Sequence, residues 1–360
     1  MRGEPSEWAP AGLQSRAMKL ELIALTLALL PFAREAAAPE TPVLADAAVV
    51  RGMTISCQTW GGEWGTDGFG EELEELRELG CNWVAIHPYA SIQKDGTVRF
   101  RNWLTRDGKN PRHILRPIAE AHERGMSILV KPHIAYWGSG FSWRGDIRFD
   151  DPAALARFHE TYSQWILALA EIAKDADAFC VGTELEGVTA DTATWKKLIA
   201  GVRERTDAHL TYAANWSDYS KVGFWSELDA VGLQGYFPIS EEENPDRAAL
   251  EAGWKRVVTE LKTLHERTSK PIVFTELGYS RCRTTAREPW KFRREKAEHL
   301  PESVELKTRC TSVALEVLDR ERDWLRGAFL WKWFVGEARG ENFLVDTDEM
   351  RAVLSSAWRD

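Results

Sequence analysis

The sequence predicts an α/β protein folded as a single (β/α)8 TIM barrel, and three observations carry that reading. Eight short apolar segments with strand character recur along residues 50–360. Several are near-continuous apolar runs, the pattern of strands buried on both faces. Amphipathic helical segments lie between them, no Gly/Ser linker or low-complexity tract interrupts the stretch, and its length of about 310 residues suits eight βα units in one closed barrel.

The elements follow in order. The first strand is expected at Gly52–Cys57. Leucines 73, 76 and 79 within Glu71–Leu79 then mark one face of a helix. Trp83–His87 and Ser127–Ile134, preceded by Gly80 and Gly125, are the second and third strands. Asp151-Pro152 is a helix-start signal ahead of the amphipathic run Ala153–Ala173. The fourth strand, Ala178–Glu184, precedes the helix Trp195–Val202. Leu210–Ala214 and Ala230–Tyr236 are the fifth and sixth strands, followed by the helix Arg247–Leu264. Pro271–Leu277, the helix Ser303–Leu318 and Ala328–Trp333 after Gly327 complete the series. A doubly wound open sheet is the alternative. It would need a Gly-rich phosphate turn after the first strand, and Gly61, Gly62 and Gly65 do not form G-x-G-x-x-G.

Composition narrows the classes. With 28% charged and 44% hydrophobic residues the chain is globular, not disordered or collagen-like. Acidic residues outnumber basic ones 55 to 46, giving a net charge of −9, so no nucleic-acid partner is expected. Five cysteines do not make a disulfide scaffold. Cys57, Cys81 and Cys180 fall in or beside strand-like runs and read as buried thiols. Cys282 and Cys310 either pair after export or stay free. The apolar run Leu22–Ala33 is too short to span a bilayer but suits a signal-peptide core, with Arg16 and Lys19 ahead of it. Cleavage after Ala38 or Ala45 is expected, and Met18 reads as a natural start. Residues 1–45 are therefore set apart as a leader and residues 46–360 as the barrel. The mature protein is expected to be a secreted or periplasmic monomer with no stable membrane insertion.

In such a barrel the chemistry sits just past the C-terminal ends of the strands. The fourth strand runs Phe179-Cys180-Val181-Gly182-Thr183-Glu184, and the seventh Ile272-Val273-Phe274-Thr275-Glu276. Each ends an apolar run with a glutamate. Either alone reads as an ion-pair or loop residue. Together, in one cup, they suit glycosidic bond hydrolysis, where one carboxyl protonates the leaving oxygen and the other attacks the anomeric carbon or activates water. Glu186 is close by and is a candidate for a sugar hydroxyl or a neighbouring lysine.

Other strand-end residues are candidate sugar contacts: His87, Tyr89, His133, Asn215 and Tyr236, the last also placed to donate to Glu276. Lys131, in an apolar strand, needs a carboxylate or sugar partner. Glu184, His87 and His133 would be the set for a metal, but no H-x-H or H-E-x-x-H spacing supports one, so neither metal nor cofactor is expected. The chain holds 17 tryptophans. Trp83, Trp165, Trp195, Trp254 and Trp324 lie within strands or helices and read as packing. Trp60, Trp64, Trp137, Trp143, Trp216, Trp290, Trp331 and Trp333 fall at or beyond strand ends, where indoles stack on the C–H face of a pyranose. Strict alternation puts Trp331 and Trp333 on one strand face. The expected partner is an oligo- or polysaccharide. A barrel that binds carbohydrate without cleaving it is the alternative from another class, against which two opposed acids argue.

The chain resembles glycoside hydrolase family 113, of the clan A retaining glycosidases. The matching segments are Arg51-Gly52-Met53-Thr54, Lys131-Pro132-His133, Gly182-Thr183-Glu184, Thr275-Glu276-Leu277-Gly278-Tyr279, Glu288-Pro289-Trp290 and Leu330-Trp331-Lys332-Trp333. The resemblance spans roughly residues 50–335 and implies a β-mannanase-like enzyme with Glu184 as acid/base and Glu276 as nucleophile. An exo-acting β-mannosidase or another β-glycan hydrolase keeps the same pair. One position departs from the clan's pattern: Thr183 stands where asparagine commonly precedes the acid/base.

Overall fold

Eight parallel strands close into a barrel. The described residues of the computed structural model are 49–100, 111–292, 295–340 and 342–358. The leader expected over residues 1–45 lies outside them. Eleven strands fall within these residues: β1 Val50–Ser56, β2 Trp83–Ile86, β3 Tyr89–Ile92, β4 Val98–Arg99, β5 Ser127–Val130, β6 His133–Ala135, β7 Ala178–Thr183, β8 His209–Asn215, β9 Val231–Gln234, β10 Ile272–Leu277 and β11 Leu325–Phe334. The barrel order is β1-β11-β10-β9-β8-β7-β5-β2, so β5, β7, β8, β9, β10 and β11 are its third to eighth strands.

The expected third strand, Ser127–Ile134, divides into β5 and β6. Pro132 has no N–H to give a ladder. Beyond it, β6 leaves the barrel to form a small sheet of order β4-β3-β6, in which Tyr89 lies beside His133.

Among the described residues the helices are α1 Asp67–Glu78, α2 Arg112–Glu123, α3 Pro152–Ile172, α4 Thr192–Arg203, α5 Arg247–Thr268, α6 Leu300–Arg320 and α7 Asp348–Trp358. Three start on an aspartate cap: Asp151 accepts from Ala153 N at 2.9 Å, Asp191 from Thr194 N at 3.2 Å and Asp246 from Ala249 N at 2.8 Å. The sequence reading has no counterpart of α2, which carries Pro117 inside it, or of α7. After the fifth barrel strand the described chain makes only two 3₁₀ turns, Tyr219–Lys221 and Trp225–Glu227. No helix among the described residues is long and apolar enough to cross a membrane.

The core has two shells. Inside the barrel, small residues such as Ala85, Ala178, Ala213 and Ala230 meet a few large ones. Trp83 and Phe329 fill the base edge-to-face at 6.0 Å, and a Cβ at Gly52 would sit 2.6 Å from the Phe329 ring. Outside, Met53, Ile55, Phe179, Val181, Leu233 and Phe274 pack under the helices. The five tryptophans read as packing are all buried. Cys282 and Cys310 are buried free thiols, as are Cys81 and Cys180, while Cys57 is free and half-buried.

Candidate active site

Both strand-end glutamates depend on breaks in strand register. On β10, Phe274 pairs with Leu233 of β9 and Glu276 with Gln234, so Thr275 is an extra residue. In a regular, unbulged strand Glu276 would share the outward face of Phe274. The bulge turns the carboxylate into the barrel, the kind of re-aiming that bulges provide beside active sites. On β7, Cys180 pairs with Thr211 of β8 and Thr183 with Ala213. Glu184 then bonds Ala213 O through its N–H at 2.9 Å and adopts φ 51°. A non-glycine residue there carries strain on the order of 1–3 kcal/mol, which neighbouring structure must hold.

The two carboxyls line one cavity of about 480 Å³, with Tyr236, Asn215 and Ser217 as polar neighbours and Trp143, Trp216, Trp290, Trp331 and Phe343 as walls. Trp216 and Trp290 stack at 5.1 Å and 25°.

Their surroundings drive the two acids apart. Lys131 Nζ donates to Glu276 Oε1 at 2.5 Å and to Thr275 O at 2.8 Å, and Tyr236 Oη donates to Glu276 Oε2 at 2.8 Å. Burial alone would raise the Glu276 pKa, but the Lys131 ammonium, its hydrogen bond and the more distant Arg144 hold it below the usual carboxylate value. Glu184 is shifted the other way. Burial is the largest cause and the negative charge of Glu276 adds to it; together they outweigh Arg144, whose Nη1 donates to Glu184 Oε2 at 2.9 Å. Glu186 is pushed up to about 7 by burial and by the carboxylates of Glu184 and Asp218, against a hydrogen bond from Asn215. A Cβ at Gly145 would fall on the Glu186 carboxylate, so only glycine lets that loop approach.

The remaining sequence candidates separate by position. His87 and His133 do not line the cavity. They stack at 4.9 Å and 22° behind Glu276, with His133 Nε2 3.5 Å from Glu276 Oε1. Burial, then the neighbouring cations, hold both imidazoles well below their usual pKa, which favours their neutral forms. Tyr89 packs against His133 at 5.7 Å, and Trp137 against Tyr89 at 5.5 Å, outside the cavity lining. Trp64 is fully buried. Among the described residues no group of three or more His, Cys, Asp or Glu side chains is arranged to hold a metal ion.

Trp333 needs a correction. Thr54 of β1 pairs with Trp331 and Ile55 with Trp333, so Lys332 is an extra residue that breaks the alternation. Trp331 faces the cavity and Trp333 faces the helices. There it is fully buried, and its indole N–H donates to Glu72 Oε2 of α1 at 2.6 Å. Thr183 lies buried in the barrel and does not line the cavity.

Arg144 is the residue that strand-end reading passes over, because it lies seven residues beyond Trp137 in a 3₁₀ turn, Arg144–Asp146. The available signal was a cation set between Trp143 and Gly145 in a loop otherwise rich in aromatics and glycine. Phe343 is missed for the same reason, being far beyond the eighth strand.

The sequence model of Glycoside Hydrolase Family 113 matches residues 53–347, which include every one of these side chains. The chain belongs to glycoside hydrolase family 113. It is therefore a glycoside hydrolase. No curated protein sequence matches this family 113 chain significantly. Solved structures agree on the fold. A GH113 β-1,4-mannanase solved as a complex superposes with a TM-score of 0.74 at 21% identity, over 87% of this chain and 99% of that one. A GH113 β-mannanase from Alicyclobacillus acidocaldarius, in complex with ManMIm, gives 0.72 at 24% identity over 88% and 98%. A Ruminococcus gnavus β-glucuronidase gives 0.56 at 11% identity, over 87% of this chain but 50% of that one.

Lys131 supplies a direct check on the electrostatics. Lys131→Met removes the cation nearest Glu276 and leaves burial unopposed, so the Glu276 pKa rises. A catalytic role for Glu276 as a carboxylate then predicts that the acidic limb of the kcat/KM profile moves upward. Near neutral pH the loss is expected to be roughly 10²-fold. A pH–rate profile beside a thermal melt checks this; an unmoved acidic limb in a folded variant contradicts it.

Proposed function

We propose that the protein is a retaining endo-β-1,4-mannanase with Glu276 as nucleophile and Glu184 as acid/base. The observation that carries the reading is the opposed tuning of two carboxyls across one aromatic-walled cavity: Glu276 is held ionised by Lys131 and Tyr236, and Glu184 is driven towards its neutral form by burial. That is the division of labour double displacement needs. Glu276 attacks the anomeric carbon as the Glu184 proton passes to the glycosidic oxygen, and the leaving chain departs. Glu184, now a carboxylate, takes a proton from water as that water attacks the same carbon and frees Glu276. Two inversions give net retention. Trp216, Trp290 and Trp331 line the cavity with apolar ring surface for pyranose rings, and Asn215 and Ser217 line it with polar groups for hydroxyls, while Glu186 lies outside that lining. Family membership and the likeness to solved β-mannanases support mannan as the polymer.

Export belongs to the same proposal. A polymer too large to enter a cell is cut outside it, and the Leu22–Ala33 run has the character of an export signal. The test is reducing-sugar release over a panel of β-mannan, β-glucan and xylan, with product length and anomeric configuration recorded. Internal cleavage of mannan with retention is expected. Inversion overturns the mechanism, and preference for another glycan overturns the substrate.

A further inference from the structure

Trp60 and Trp137 are 55% and 60% exposed, unusually open for indoles. Neither lines the cavity between the glutamates. Trp60 follows the first barrel strand, Tyr89 the second and Trp137 the third. Their rings form one cluster: Trp60 meets Trp137 at 6.2 Å and 88° and Tyr89 at 5.9 Å and 76°, and Tyr89 meets Trp137 at 5.5 Å.

The exposure of Trp60 is built into the backbone. Trp60 at φ 53° and Gly61 at φ 89° make a left-handed turn, a conformation that a bulky residue rarely holds. A Cβ at Gly61 would meet the Trp64 ring at 2.5 Å. Trp64 is buried beneath and packs edge-on against His87 at 5.4 Å. The turn is thus seated on the rigid layer behind Glu276, with the Trp60 indole directed outward. The cluster is continuous with the site through Tyr89 and His133, whose Nε2 is 3.5 Å from Glu276 Oε1.

Position in the barrel says what the cluster meets. It is carried by the loops of strands one to three, centred on the second. The stacked pair Trp216 and Trp290 is carried by the loops of strands five and seven, centred on the sixth. In a ring of eight these centres are diametrically opposed, so aromatic surfaces flank the carboxyls from both sides.

Resting on the polymer-cleaving reading above, we propose that Trp60, Tyr89 and Trp137 form an outer subsite. It takes pyranose units of the same β-linked chain that lie beyond the units held in the central cavity. The cluster holds the chain by stacking and takes no part in bond cleavage.

The test compares wild type with Trp60→Ala, Trp137→Ala and the double variant on soluble β-1,4-mannan and on the shortest manno-oligosaccharide that the wild type cleaves. For the double variant, KM on the polymer is expected to rise about tenfold from lost apolar contact, with kcat and all constants on the short substrate unchanged. An unchanged polymer KM, or equal losses on both substrates, overturns the subsite. If the wild type cleaves no mannan, the substrate reading fails separately. Retention on immobilised β-mannan then decides the subsite: it is supported if the double variant is released earlier than wild type, and overturned if the two elute together.

Discussion

Glu276→Gln is expected to lower kcat on β-mannan by on the order of 10⁴–10⁶-fold, the scale seen when a covalent nucleophile is removed. The amide is nearly isosteric but cannot form a glycosyl ester. The fold has reason to survive. Glutamine Oε1 still accepts from Lys131, and the Tyr236 hydroxyl rotates to accept from the new amide. Lys131 is left buried without its counter-ion, and burial already depresses its pKa, so loss of its proton removes the unpaired charge. A circular dichroism melt close to wild type should accompany the loss. The sharper experiment is Glu276→Ala with an added small anion such as azide. The anion enters the vacated space and attacks the anomeric carbon once, so the product has inverted configuration. Residual turnover with retention in either folded variant would remove Glu276 from the nucleophile's role.

The register breaks that aim these residues explain how much of the site the sequence shows. Strand existence is legible because both faces of a barrel strand are buried, so Ala178–Glu184 and Pro271–Leu277 read as apolar runs ending in acid. Side-chain direction is not legible in the same way. Period-two counting gives the wrong face for Glu276 until the extra Thr275 is seen, and it pairs Trp331 with Trp333 although Lys332 separates them. A bulge leaves little compositional mark, since it depends on the hydrogen-bond partner across the strand. Arg144 is hidden differently. Its role comes from a loop folding back over the fourth strand, a long-range contact that local spacing does not encode. Helix α2 is masked by Pro117 within its own span. The carboxylate partners were readable in part from chemistry alone: a lysine in an apolar strand has few options, and Lys131 takes the nearest.

Glu184→Gln should separate its two substrates where Glu276→Gln does not. On β-mannan the leaving group is a sugar alkoxide that must be protonated, so kcat/KM is expected to fall about 10²–10⁴-fold. An aryl glycoside with an acidic phenol needs no proton to depart, so its first step should run near the wild-type rate. The second step still lacks its base. The glycosyl-enzyme should accumulate and appear as a burst of phenol followed by slow turnover. The pH profile carries the same information. In the wild type the acid must be protonated, so activity declines as pH rises through the Glu184 pKa, which burial and Glu276 raise and Arg144 restrains. That restraint suits the second step, in which Glu184 must carry a charge, and Arg144 at 2.9 Å is placed to stabilise it. Replacing Glu184 should therefore abolish the basic limb on the aryl substrate and leave the acidic limb, set by Glu276, in place. Equal losses on the two substrates, or a basic limb that persists in Glu184→Gln, would assign the proton donor elsewhere. Glu186, pushed up to about 7 and beside Asn215, is then the residue to replace next.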